Sequence, residues 1–134
     1  MAMPDSSDLI RCDLQLSQQD FDRFADLSGD DNPIHTDAEF AASTVFGATV
    51  SHGMLLFTRL RGVMAQHFPG AVLEQQALMF SSPAYAEEPL HLTLTPMSQD
   101  QHQVSLLADI RKPDGRSCLN GECRLRLPAA GEQP

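Results

Sequence analysis

The run from Gly53 to His67 is apolar on most sides when wound as a helix, because Met54, Leu55, Leu56, Phe57, Leu60, Val63 and Met64 leave little of its circumference polar. A helix of that kind belongs inside a protein. Pro69-Gly70 ends it, and the chain then changes period. Leu90, Leu92 and Leu94 alternate with His91, Thr93 and Thr95. Val104, Leu106, Ala108 and Ile110 alternate with Ser105, Leu107, Asp109 and Arg111, and Leu119 to Leu127 repeats the pattern. Alternation with period two predicts half-buried strands. Pro113-Asp114-Gly115 is a turn between the last two. The segment 71–81 is strand-like but ambiguous. One buried helix followed by an antiparallel meander predicts an α+β chain, with a single sheet packed on that helix.

The upstream third has its own signals. Arg11 to Leu16 alternates as a strand, with Cys12, Leu14 and Leu16 on one face. Ser17-Gln-Gln-Asp20 has the form of a capping box, and Phe21, Phe24, Ala25 and Ser28 follow at helical spacing up to Gly29. Asn32-Pro33 disfavours helix at residue 32, so Asp30 to Thr36 is expected to be a loop. Asp37 is a candidate cap for a short helix over Ala38–Ser43, and Gly47 breaks the chain again.

With 134 residues and 42% hydrophobic content, the chain is sized for one domain with one core. That domain is expected over residues 10–128, with flexible ends at 1–9 and 129–134. A net charge of −9 argues against nucleic acid as a partner. No apolar run is long enough to span a bilayer, and the N-terminus lacks a basic-then-apolar leader. Three cysteines fit a reducing compartment better than a disulfide framework, and none has metal-site spacing. These features predict a cytoplasmic protein without membrane contact. The charge is uneven: residues 1–39 hold ten acids and two bases, whereas 111–126 hold five of the nine bases. A solvated strand face is the ordinary reading of the basic stretch.

Chemistry concentrates in Ser28-Gly-Asp-Asp-Asn-Pro-Ile-His-Thr-Asp37. Asp30 and His35 could reach one small volume in a curled loop, and a carboxylate with an imidazole around one water is a minimal general acid–base pair. The alternative is a turn whose Asp and Asn side chains cap backbone amides. Gly53, at the start of the long helix, is either a plain glycine at a helix start or a place where free amides meet developing negative charge.

Ser28-Gly29-Asp30, Asn32-Pro33, His35, Asp37, Phe40-Ala41, Phe46-Gly47 and His52-Gly53-Met54 together resemble the hydratase motif of the MaoC-like hot dog family, which includes (R)-specific enoyl-CoA hydratases. Phe80-Ser-Ser-Pro83 looks like that family's strand ending in F-x-x-P. The resemblance implies an antiparallel sheet wrapped around the helix Gly53–His67, and a homodimer joined edge to edge with its active site near the interface. The implied reaction is reversible hydration of a trans-2-enoyl thioester of CoA or acyl carrier protein, giving the (R)-3-hydroxyacyl thioester. No metal or redox cofactor is implied. Asp30 and His35 would activate water, and the Gly53 amide would hold the thioester carbonyl oxygen. Asn32 would lie beside the substrate while fixing its loop, and Thr58 is the nearest hydroxyl on the central helix. Arg124 and Arg126 become candidates for CoA phosphates. Arg59 and Arg61 would meet a charged acyl group, a CoA phosphate or solvent.

The sequence departs from the family in one loop. Ala84-Tyr-Ala-Glu-Glu-Pro89 stands where Gly-Asp is common. Two other functions are compatible with a hot dog domain. A thioesterase would carry an Asp or Glu on the central helix, and Gly53–His67 has neither. A non-catalytic acyl-thioester-binding subunit would not need both Asp30 and His35.

Overall fold

The computed structural model describes residues 9–129, so the ends expected to be flexible lie largely outside the described residues. Strand β1 (Ile10–Gln15) leads into α1 (Gln18–Ser28), α2 (Pro33–Thr36), α3 (Ala38–Ala42) and the long α4 (Gly53–His67). Strands β2 (Val72–Phe80), β3 (Pro89–Gln99), β4 (Gln103–Arg111) and β5 (Ser117–Arg126) follow. All pairings are antiparallel, and the strand order is β1-β3-β4-β5-β2. Among the described residues, no helix is long and apolar enough to cross a membrane.

Alternation sets the face of each central strand. Leu92, Leu94, Leu106, Ile110, Leu119 and Leu125 point inward and are fully buried. Leu55, Leu56, Leu60, Val63 and Met64 of α4 join them in one core. Each such side chain contributes roughly 1.5–3 kcal/mol on burial. That outweighs the roughly 1 kcal/mol of a missing N-cap, and α4 has no side-chain cap at its start. Packing therefore holds the helix while its first amides stay uncapped.

Two expectations need correction. Asp30 to Thr36 is not wholly a loop, because Pro33 opens the helical turn α2. Asn32 does stay extended, as a residue before proline should, but proline at the first helical position loses nothing by lacking an N–H. Nor is α4 buried all round. Thr58, Arg59 and Gln66 are exposed, and Met54 is 54% exposed, because one sheet covers only one side of the helix.

The ambiguous segment 71–81 becomes β2, an edge strand with Val72, Met79 and Phe80 exposed. It crosses β5 closely at Gly121, where φ is 151° and a Cβ would lie 2.0 Å from the Ala77 carbonyl oxygen. Only glycine fits there. In the loop that departs from the family pattern, Glu87 takes a left-handed φ of 64°.

Candidate active site

The site forms where the end of α1, the turn α2 and the start of α4 meet. The Ser17 capping box starts α1, and Gly29 closes it. Ser28 Oγ then accepts from the Asp30 amide at 3.1 Å, which turns Asp30 out of the helix. Asn32 accepts from the Ile34 amide at 3.1 Å and so caps α2, the turn that carries His35. Val50 N donates to Ile34 O at 3.2 Å, which ties this turn to the segment before α4.

Two hydrogen bonds to other segments hold His35. Its Nδ1 lies 2.8 Å from Val50 O. A carbonyl only accepts, so Nδ1 carries the proton and Nε2 keeps its lone pair. Gln18 Nε2 donates to His35 O at 2.8 Å, and Thr49 Oγ1 donates to Gln18 Oε1. Gln18 is a supporting residue that sequence reasoning passed over, since it looks like filler inside a capping box. The free His35 Nε2 faces Asp30 Oδ2 at 3.9 Å. That gap is too long for a direct hydrogen bond and accommodates one water accepted by both. Asp30 is 56% exposed at its side chain and His35 only 14%, so the pair opens to solvent on the carboxylate side.

Behind the pair sits His52, 2% exposed. Its Nε2 lies 2.9 Å from Asp30 O, and its ring stacks on that of His35 with centroids 3.8 Å apart. Burial lowers the His52 pKa, and the neighbouring His35 acts in the same direction. The Asp30 backbone bond opposes this, as does the Asp30 carboxylate. Asp30, His35 and His52 offer ligand atoms within 4.8 Å of one another. His35 Nδ1 and His52 Nε2 are already donors to carbonyls, however, so His35 Nε2 and Asp30 are the pair left facing one volume.

Next to His52, Gly53 begins α4. A Cβ there would stand 3.1 Å from the Phe80 ring. A cleft of about 210 Å³ opens at this point, lined by Gly53, Phe46, Ser51, Phe80, Ala84 and Cys118. Burial pushes the Cys118 thiol up to about 11, so it is a wall and not a nucleophile.

The other expected residues are not gathered here. Thr58 Oγ1 donates to Met54 O at 2.8 Å on the exposed side of α4. Asn32 spends its oxygen on the α2 cap. Arg124 and Arg126 alternate with inward-facing Cys123 and Leu125, so they lie on the outer face of β5. They pair with the Val72 end of β2, far from its Phe80 end at the cleft, and Arg126 is 3.8 Å from Glu74. Arg59 is exposed, and Arg61 lies beside Met64 and Phe68, toward the opposite end of the helix. In the basic stretch it is Lys112 that turns inward, at 4% exposure. Its Nζ donates to Pro83 O at 2.8 Å, lies 3.5 Å from Glu88 and sits over the Tyr85 ring. Tyr85 OH donates to Phe46 O at 2.8 Å, so this buried cation braces two loops that wall the cleft.

A family model described as a MaoC like domain matches residues 3–107. The chain belongs to the MaoC-like domain family. The match takes in Asp30, His35, His52 and Gly53 of this MaoC-like domain and stops short of Arg124 and Arg126. An (R)-specific enoyl-CoA hydratase of Aeromonas caviae is 34% identical over 109 residues, covering 78% of this chain and 81% of its own. A mitochondrial 3-hydroxyacyl-[acyl-carrier-protein] dehydratase of Solanum lycopersicum is 30% identical over 115 residues, covering 83% of this chain and 70% of its own. The solved (R)-hydratase from A. caviae superposes with a TM-score of 0.85 at 27% identity, over 96% of this chain and 98% of that one. The α+β architecture of this MaoC-like domain is thus the hot dog fold of those hydratases.

Proposed function

We propose that this MaoC-like domain adds water reversibly across a trans-2-enoyl thioester, giving the (R)-3-hydroxyacyl thioester. The observation that carries the reading is the 3.9 Å gap between His35 Nε2 and Asp30 Oδ2. A water held in that gap donates one hydrogen to each group. His35 Nε2 takes a proton as the water oxygen bonds to carbon 3 of the acyl chain. The double-bond electrons move onto the thioester oxygen as an enolate. The uncapped amides at the start of α4, Gly53 first, supply hydrogen-bond donors and the positive end of a helix dipole for that charge. When the enolate collapses, the acid–base pair returns a proton to carbon 2. No nucleophile stronger than water is needed, because orientation supplies much of the rate.

The relatives are named for CoA and for acyl-carrier-protein thioesters, and we take the substrate from that class. We also propose that two copies pair along β2, whose unpaired edge and exposed Val72, Met79 and Phe80 leave apolar surface beside Gly53. The absence of Asp and Glu from α4 weighs against a thioesterase.

The test is a hydration assay with crotonyl-CoA and longer enoyl-CoA esters, run beside the acyl-carrier-protein thioester, with chiral analysis of the product. Release of free thiol without hydration would overturn the reading.

A further inference from the structure

We infer that His52 is a positioning residue that sets both halves of the acid–base pair with one buried ring, its Nε2–H tethering the Asp30 backbone and its face supporting the His35 imidazole. The inference rests on the hydratase reading for its kinetic consequences but not for its geometry.

Three contacts define the arrangement. Nε2 is 2.9 Å from Asp30 O, a carbonyl 22 positions away in the chain. A carbonyl only accepts, so Nε2 holds the proton. The ring lies against His35 at 3.8 Å and an interplanar angle of 22°. Phe24 of α1 closes the other side edge-on at 4.9 Å. His52 Nδ1 is buried with no hydrogen-bond partner among the described residues. An apolar ring of the same shape would avoid that cost, but it could not donate to Asp30.

The geometry also suits a proton that comes and goes on His35. His52 is packed against α1 through Phe24 and against α2 through His35, and among the described residues the titratable side chains acting on it are His35 and the Asp30 carboxylate. Burial keeps His52 neutral, so it does not repel the imidazolium that forms on His35 during turnover.

Two variants separate the contacts. His52→Phe keeps a ring and loses the donor, and His52→Gln keeps a donor and loses the stacking face. With crotonyl-CoA, each should lower kcat about tenfold to a hundredfold, while KM stays within about threefold. In His52→Gln the stacking face is lost, so the His35 ring should change its environment and its imidazole resonances should move. Imidazole nitrogen NMR on the substrate-free protein reads that change without any assay. In the wild type it should find His52 protonated on Nε2 alone.

A wild-type His52 protonated on Nδ1 would overturn the inference even if neither variant folded. So would folded variants with unchanged kcat and unchanged His35 imidazole resonances. If the variants shift His35 but the wild type hydrates no enoyl thioester, the positioning role stands and the hydratase reading falls.

Discussion

His35 Nε2 lies 3.9 Å from Asp30 Oδ2, with neither atom engaged by another described group, so the pair holds a water-sized gap and not a bond. His35 Nδ1 is tied to Val50 O, which points the lone pair of the other nitrogen at the carboxylate. A direct ion pair would have consumed both groups.

Removing either member should therefore abolish water activation without unfolding the chain. Asp30→Asn and His35→Ala should each lower kcat by about a hundredfold to ten-thousandfold. Asp30 is largely exposed, so circular dichroism melting of Asp30→Asn should match the wild type closely. Full activity in both variants would displace the site from this pair.

Gly53→Ala tests the start of α4. The added Cβ would stand 3.1 Å from Phe80, and crowding of that kind costs roughly 1–3 kcal/mol unless the ring moves. Moving the ring narrows the cleft, so kcat/KM for crotonyl-CoA should fall. The double variant Gly53→Ala/Phe80→Leu should recover part of the loss, and failure to recover would mean that the close approach is not the reason for glycine.

Lys112 should matter for stability more than for charge. Lys112→Met leaves the half-buried Glu88 without its cation and Pro83 O without its donor. A loss of about 3 kcal/mol is expected from the midpoint of urea unfolding. Adding Glu88→Gln should return part of it, because the uncompensated charge is then gone.

Arg124→Gln and Arg126→Gln should leave KM for CoA esters within about twofold, because both side chains stand on the outer face of β5. A larger rise in KM, read from steady-state kinetics, would bring CoA phosphates back to this face.

Stability should decline with acidity through His52. Its folded pKa lies below the ordinary value of 6.5, chiefly because it is buried. As pH falls, the unfolded chain binds the proton first, so the stabilisation is present above about 6.5 and is lost as pH drops toward the folded pKa. Melting temperatures measured from about pH 8 to about pH 5 should fall less steeply in His52→Phe than in the wild type. Parallel slopes would exclude His52 as the titrating group.

Much of the fold was legible because the signals were local. The capping box from Ser17 to Asp20 is a matter of four residues, and α1 starts there. The period-two alternation of β3, β4 and β5 reads directly as an inward and an outward face. The start of α2 was missed for a local reason too: the rule about the residue before proline hid what proline itself does at the first helical position. Segment 71–81 stayed ambiguous because in this edge strand only Leu73 and Leu78 are half-buried against the core, five positions apart across a register shift, so no period-two alternation is displayed.

The site divides in the same way. The sequence by itself determined that Asp30 follows the Gly29 end of α1 and that Gly53 starts the long helix α4, because caps and breaks are properties of neighbouring residues. Only the tertiary structure decided which His35 nitrogen faces Asp30, through a carbonyl 15 positions away. It alone placed the His52 ring behind both groups, and buried Lys112 against a carbonyl 29 positions away while leaving Thr58, Arg124 and Arg126 outside. The physical reason is that a side chain's partner is set by which faces of the helix and sheet are pressed together, and packing of the whole core decides that, not the order of residues along one strand or turn.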